Sequence, residues 1–181
     1  MRQVLNAGGV IAYPTEGVYG LGCDPHNPRA VQRLLDLKGR EAAKGLILIA
    51  ADPGQLVSLI QPPSAQLQTA LSQTWPGPVT WLLPAAANCP SWLRGRHATL
   101  AVRVTAHPLA AELCRAAGGP LVSTSANLSG RVPARSAIGV YRRFGEALDW
   151  IVDGPVGGLR GPTEIRDGLS GRVIRPGPSA G

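Results

Sequence analysis

The chain has 181 residues, 44% of them hydrophobic, 16% charged and only 4% aromatic. That balance excludes a disordered chain and disfavours a platform that stacks single-stranded nucleic acid, while the length predicts one domain over residues 1–181 with a substantial core. Eighteen Lys and Arg against 11 Asp and Glu leave a net charge of +7, which suits phosphate partners, whether a polymer or a small polyphosphate.

Residues 10–13 are a short apolar run ending in Pro14, the pattern of a strand that delivers its C-terminal end into the loop Thr15-Glu16-Gly17-Val18-Tyr19-Gly20-Leu21-Gly22. The glycines suit either a tight turn or close approach of a ligand to the backbone, and Thr15 adds a hydroxyl. Asn27 before Pro28 reads as an N-cap and first-turn proline, opening a helix that carries Val31, Leu34, Leu35 and Lys38 and stops at Gly39. Lys38 and Lys44 are the only lysines in a chain otherwise rich in arginine. With Arg40 they fall between this helix and an apolar strand at 46–50. They form either a solvated basic helix end or a clamp on a phosphate group.

Short helices are expected from Asp52-Pro53 and from Ser64, strands over 79–83 and 100–104, and a helix from His107-Pro108 to Gly118-Gly119. Thr99, Ala101 and Arg103 share one strand face, and an arginine in so apolar a strand needs an anion, either a substrate carboxylate or a structural Asp or Glu. A strand at 121–123 feeds Ser123-Thr124-Ser125-Ala126-Asn127. These hydroxyls exceed what a turn requires and suit a phosphate or a nucleoside, although Asn127 also reads as a cap. A helix through Ile138, Tyr141 and Phe144 and late strands at 150–152, 163–166 and 172–174 complete an alternation that implies an α/β fold with a mixed, covered sheet. His26 and His107 read as helix-start residues, and His97 joins Arg94 and Arg96 in a basic rim.

The common phosphate loops GxxxxGK[ST] and GxGxxG are absent, as are HExxH, GxSxG and EF-hand loops. Cys23, Cys89 and Cys114 are odd in number, far apart and without a CxxC pair, so neither a disulfide framework nor a zinc site is expected. No apolar run reaches the ~20 residues of a membrane span and no signal pattern leads the chain, so a cytoplasmic protein without a membrane partner is expected.

Taken in order, Pro14-Thr15-Glu16 with Val18-Tyr19-Gly20-Leu21-Gly22, Lys38-x-Arg40, Trp75-Pro76-Gly77-Pro78-x-Thr80, Ala101-Val102-Arg103-Val104, Ser123-Thr124-Ser125-Ala126-Asn127-x-Ser129-Gly130 and Arg175-Pro176-Gly177 resemble the YrdC-like family of threonylcarbamoyl-AMP synthases, most closely its short bacterial form. The resemblance implies a twisted mixed β-sheet with surrounding helices and a concave basic cavity. The reaction it implies joins L-threonine, bicarbonate and ATP, with Mg2+, into threonylcarbamoyl-AMP and pyrophosphate. The product would feed the machinery that modifies adenosine in tRNA, with a weak direct tRNA contact left open. On the family's pattern Lys38 and Arg40 are the catalytic clamp, and with Lys44 they hold the phosphates. Thr99, Ser125, Asn127 and Arg175 join Arg40 and Lys44 in binding ATP, while Thr15, Gly17, Arg103, Ser123 and Thr163 hold threonine.

Three positions depart from that pattern. Longer relatives often carry threonine where Gly17 stands, so a backbone contact replaces a hydroxyl; Thr105 replaces a frequent proline; and Lys44-Gly45-Leu46 replaces a common polar-Pro-Leu. The resemblance also implies that the additional C-terminal domain of longer relatives is missing. Two rival readings remain at this level: a non-catalytic module for double-stranded RNA or tRNA, and a phosphate-binding regulatory protein without turnover.

Overall fold

The computed structural model describes residues 1–178. In chain order the elements are α1 (Arg2–Asn6), β1 (Ile11–Pro14), β2 (Tyr19–Gly22), α2 (Pro28–Lys38), β3 (Ile47–Ala50), α3 (Ala65–Ser72), β4 (Val79–Pro84), α4 (Ser91–Arg94), β5 (Thr99–Val104), α5 (Pro108–Ala117), β6 (Leu121–Val122), β7 (Thr124–Ser125), α6 (Ala137–Phe144), β8 (Trp150–Ile151), β9 (Glu164–Asp167) and β10 (Val173–Arg175). Single 3-10 turns lie at Ala42–Lys44, Pro53–Leu56 and Gly145–Ala147. The mixed α/β class is as expected, but the strands form two mixed sheets in place of one. Their orders are β7-β2-β1-β8 and β10-β9-β4-β5-β3-β6.

Local chemistry explains the best-defined elements. The Asn27 side chain accepts from the Arg29 and Ala30 amides at the start of α2, and Gly39 ends the helix in the left-handed conformation with φ +58°. Along β1 every residue is buried, because Ala12 faces the larger apolar cluster while Ile11 and Tyr13 face the smaller one beneath α5. The larger cluster draws on both sheets, with Tyr19 and Leu21 from one, Leu48 and Val102 from the other, and Leu34 and Leu35 from α2. Burial of this continuous apolar surface joins the sheets into one packed body.

Two differences from the sequence reading matter for the site. The glycine-rich stretch after Pro14, expected as a loop, closes into strand β2, paired antiparallel with β1. Gly22 lies so close to the Val122 carbonyl and the Tyr13 ring that a Cβ there would overlap both, so the glycines permit close strand packing. The strand expected at 121–123 is β6, paired with β3 in the larger sheet, and the polar residues that follow it form a further strand, β7, paired with β2 in the smaller. Buried Ser123 sits at the crossing, its amide donating to the Ile47 carbonyl at 2.8 Å. The segment from Asp52, expected as a helix, makes only the short 3-10 turn.

Candidate active site

The crossing of the two sheets opens onto a cavity of about 270 Å³. The smaller sheet and its loops contribute Thr15, Gly17, Gly20, Ser123 and Ser125; the larger contributes Thr99, Arg103 and Arg175; the loops after α2 and α4 contribute Arg40, Lys44, Arg94 and His97. Thr163, just before β9, completes the wall. Among the described residues no carboxylate lines it, so its five cationic side chains face a hollow with no acid of its own. Burial and then the neighbouring Arg103 and Arg40 charges hold the Arg175 guanidinium below its usual pKa, and burial does the same to Arg40. Converging cations that repel one another define an anion site.

Arg103 is the most tightly held of them. Its side chain is buried, and Nη1 donates to the Thr163 hydroxyl at 2.9 Å and to the Thr80 hydroxyl at 3.2 Å. Nη2 lies 3.3 Å from the Glu16 carboxylate, while Nε is buried without a partner. Glu16 is itself fixed: its Oε1 accepts from the Thr105 hydroxyl at 2.7 Å and from the Ala106 amide at 3.2 Å. The anion required by a cation in β5 is thus a protein carboxylate, and the guanidinium still reaches the cavity.

Lys38 lies elsewhere than expected. Its ammonium is buried behind the wall, donating to the Ser125 carbonyl and, at 2.7 Å, to the Asn127 carbonyl, and it does not line the cavity. Burial, with the nearby Arg40 charge, pulls its pKa down to about 8. In this position Lys38 braces the Ser125-Ala126-Asn127 turn. Asn127 also stays outside the cavity: its amide donates to the Leu128 and Arg131 carbonyls, and its Oδ1 accepts from the Ser125 hydroxyl at 2.5 Å.

The segment from Gly154 to Thr163 covers the threonine-rich end. The Gly157 amide donates to the Thr15 carbonyl at 2.9 Å, the Leu159 amide donates to the Glu16 carbonyl at 3.1 Å, and Arg135 bridges the Gly17 and Leu159 carbonyls. A side chain at Gly17 would overlap the Gly161 carbonyl, so glycine there admits the covering segment. At the far end Arg175 donates to the Thr163 carbonyl at 2.7 Å.

Of the residues picked from sequence, Thr15, Gly17, Arg40, Lys44, Thr99, Arg103, Ser123, Ser125, Thr163 and Arg175 meet in this one cavity, and Lys38 and Asn127 stand behind it. Sequence reading missed Arg135 and the pairing of Glu16 with Arg103. It placed Arg94 and His97 on a rim, whereas both line the cavity, because the α4 turn packs on the Lys44 loop, with the Leu46 amide donating to the Leu93 carbonyl. Cys23, Cys89 and Cys114 are free and buried. Among the described residues no His, Cys, Asp and Glu cluster could hold a metal ion, and no helix is long and apolar enough to cross a membrane.

Fold and cavity together define a mixed α/β protein whose two sheets meet at a hollow lined by arginine and lysine side chains. The Sua5/YciO/YrdC family model, described as "Telomere recombination", matches residues 3–177, and the chain belongs to that family. A threonylcarbamoyl-AMP synthase of Nitrosococcus oceani is 59% identical over 173 residues, covering 96% of this chain and 94% of that protein. The crystal structure of P. abyssi Sua5 complexed with L-threonine superposes with a TM-score of 0.91 at 32% identity over 97% of this chain, which spans about half of it, 52%. E. coli YciO superposes with a TM-score of 0.84 at 27% identity, covering 97% of this chain and 86% of that one.

Proposed function

We propose that this chain is a threonylcarbamoyl-AMP synthase, joining L-threonine, bicarbonate and ATP into threonylcarbamoyl-AMP and pyrophosphate. The observation that carries the reading is the convergence of Arg40, Lys44, Arg103 and Arg175 on one cavity that no carboxylate lines among the described residues. Likeness to synthases and to a Sua5 that binds L-threonine supports it.

In this reading the threonine amine and bicarbonate first form an N-carboxylate with loss of water. A carboxylate oxygen then attacks the α-phosphorus of ATP, and pyrophosphate leaves. Arg103 takes the amino-acid carboxylate, with Thr15, Ser123, Thr163 and the backbone at Gly17 around the substrate. Arg40, Lys44 and Arg175 meet the phosphates, and Thr99 and Ser125 the nucleoside side. Lys38 and Asn127 hold the Ser125 turn in place. The rate comes from positioning and from cations already aimed at developing phosphate charge, and no side chain is required as a general base. The covering segment from Gly154 to Thr163 shields the hydrolysis-prone N-carboxylate from water.

A magnesium ion fits only in part. With no carboxylate in the wall, it would ride on the phosphate oxygens of ATP, with serine and threonine hydroxyls as the nearest side-chain donors. Bound there, it neutralises phosphate charge. In this reading a single domain supplies all these groups, the reaction is cytoplasmic, and the adenylate is passed to the tRNA-modifying machinery. The test is pyrophosphate release from ATP with threonine and bicarbonate each supplied or omitted. Release that requires both is expected; release indifferent to them overturns the reading.

A further inference from the structure

Glu16 is the buried charge that the proposed mechanism does not use. It is an acid placed directly against one of the cavity's cations, yet it does not itself line the cavity. Its carboxylate is fixed from behind by the Thr105 hydroxyl and the Ala106 amide, and its main-chain carbonyl receives the Leu159 amide of the covering segment. The Thr105 hydroxyl in turn accepts from the His107 amide at 3.1 Å, so this carboxylate has one defined position.

The cations of the cavity are therefore unequal. Arg40 and Arg175 donate only to main-chain carbonyls, those of Gly45 and Thr163. Lys44 has Glu41 at 3.6 Å, but both side chains are mostly exposed, where such a pair is weak. Arg103 alone faces a buried carboxylate, in surroundings where charges are poorly screened. An unpaired guanidinium attracts the most highly charged anion available. A neutralised one keeps its directed donors but loses that attraction, so it favours a group recognised by hydrogen bonds, carrying one negative charge balanced by an amine.

We propose that Glu16, held by Thr105, is a specificity-determining residue: by offsetting the charge of Arg103 it favours an amino-acid zwitterion at that end of the cavity over inorganic phosphate and pyrophosphate. The inference rests on the synthase reading and deepens it. It gives Thr105 a separate task, which is to orient the carboxylate without adding charge.

The test is steady-state inhibition of the full chain by inorganic pyrophosphate, with threonine and ATP varied in turn. In the unaltered protein pyrophosphate competes with ATP and not with threonine. In Glu16→Gln, which keeps the shape but removes the charge, pyrophosphate gains competition against threonine, with a Ki against threonine at least about tenfold below any effect in the unaltered protein. Thr105→Val raises the threonine KM about tenfold with the ATP KM little changed and gains no such competition, and Thr105→Ser restores the threonine KM. Thermal unfolding of each variant identifies loss of fold; if Glu16→Gln does not fold, Glu16→Asp, which withdraws the charge from Arg103, takes its place with the same expected gain. Unchanged inhibition patterns in a folded Glu16 variant overturn the proposal while leaving the synthase reading intact. An unaltered protein without threonine-dependent pyrophosphate release overturns both.

Discussion

Arg103 and Arg40 both line the cavity, yet Arg103 meets Glu16 at 3.3 Å and two threonine hydroxyls, whereas Arg40 donates only to the Gly45 carbonyl at 3.0 Å. The end that the proposal gives to the amino acid is held together by contacts within the protein itself. The end that the proposal gives to the phosphates holds Arg40 and Arg175 close enough for their charges to act on one another, a repulsion that an entering anion would relieve. The difference separates two kinds of site residue, those whose removal damages the protein itself and those whose removal damages only the complex.

The largest effect that tests this contrast comes from the assembled end. Arg103→Ala leaves the Glu16 carboxylate buried without its counter-charge, and loss of one member of a buried pair costs about 3–5 kcal/mol. Denaturant unfolding should show that loss. The double variant Glu16→Ala with Arg103→Ala should recover part of it, because the orphaned charge is gone and neighbouring sites are not additive. A double variant as unstable as the sum of the singles would mean that the pair is not coupled, and the contrast between the ends would fail.

The same contrast marks what the sequence could disclose. The apolar runs of β1, β3 and β5 and the Asn27-Pro28 to Gly39 boundaries of α2 were legible because their causes are local: short continuous apolar stretches, caps and a left-handed stop. Strand β2 was not, because Gly20 and Gly22 have the pattern of a loop and are strand residues only through pairing with β1. Strand β7, in the polar stretch after β6, likewise depends on the edge that β2 offers. Within the site, Arg103 announced its need for an anion, but only the fold could choose Glu16. Lys38 stood out as one of two lysines, yet the carbonyls it binds belong to a turn remote in sequence.

Lys38 occupies the middle ground, a cation held by two main-chain carbonyls behind the wall. Lys38→Met removes two charge-assisted hydrogen bonds and leaves the Ser125 and Asn127 carbonyls short of donors, which costs about 1–3 kcal/mol. Its titration gives a further signature. With a folded pKa of about 8 against the ordinary lysine value of 10.5, the unfolded chain binds a proton in that interval that the folded chain has released. Protonation of the unfolded state alone makes stability rise with pH, so the stability of the unaltered protein relative to Lys38→Met should increase from pH 8 to about 10.5. Below pH 8 both states are protonated and the difference is flat. Unfolding series of both proteins at pH 7, 8.5 and 10 measure it, and a difference that falls with pH would contradict the buried ammonium.

Arg40 should give the smallest change in stability. It has no acidic partner, and its charge contributes to the lowered pKa of both Lys38 and Arg175, so its removal relieves repulsion while losing one hydrogen bond to Gly45. These terms oppose each other, and Arg40→Gln should unfold within about 0.5 kcal/mol of the unaltered protein, as substitutions outside buried networks usually do. The ATP KM should nevertheless rise about tenfold or more, since a charge-assisted phosphate contact is worth about 1.5–3 kcal/mol. Threonine KM should move less. Were Arg40→Gln to destabilise the chain as much as Arg103→Ala does, the phosphate end would be as internally satisfied as the other, and its cations would have no unmet charge to offer a nucleotide.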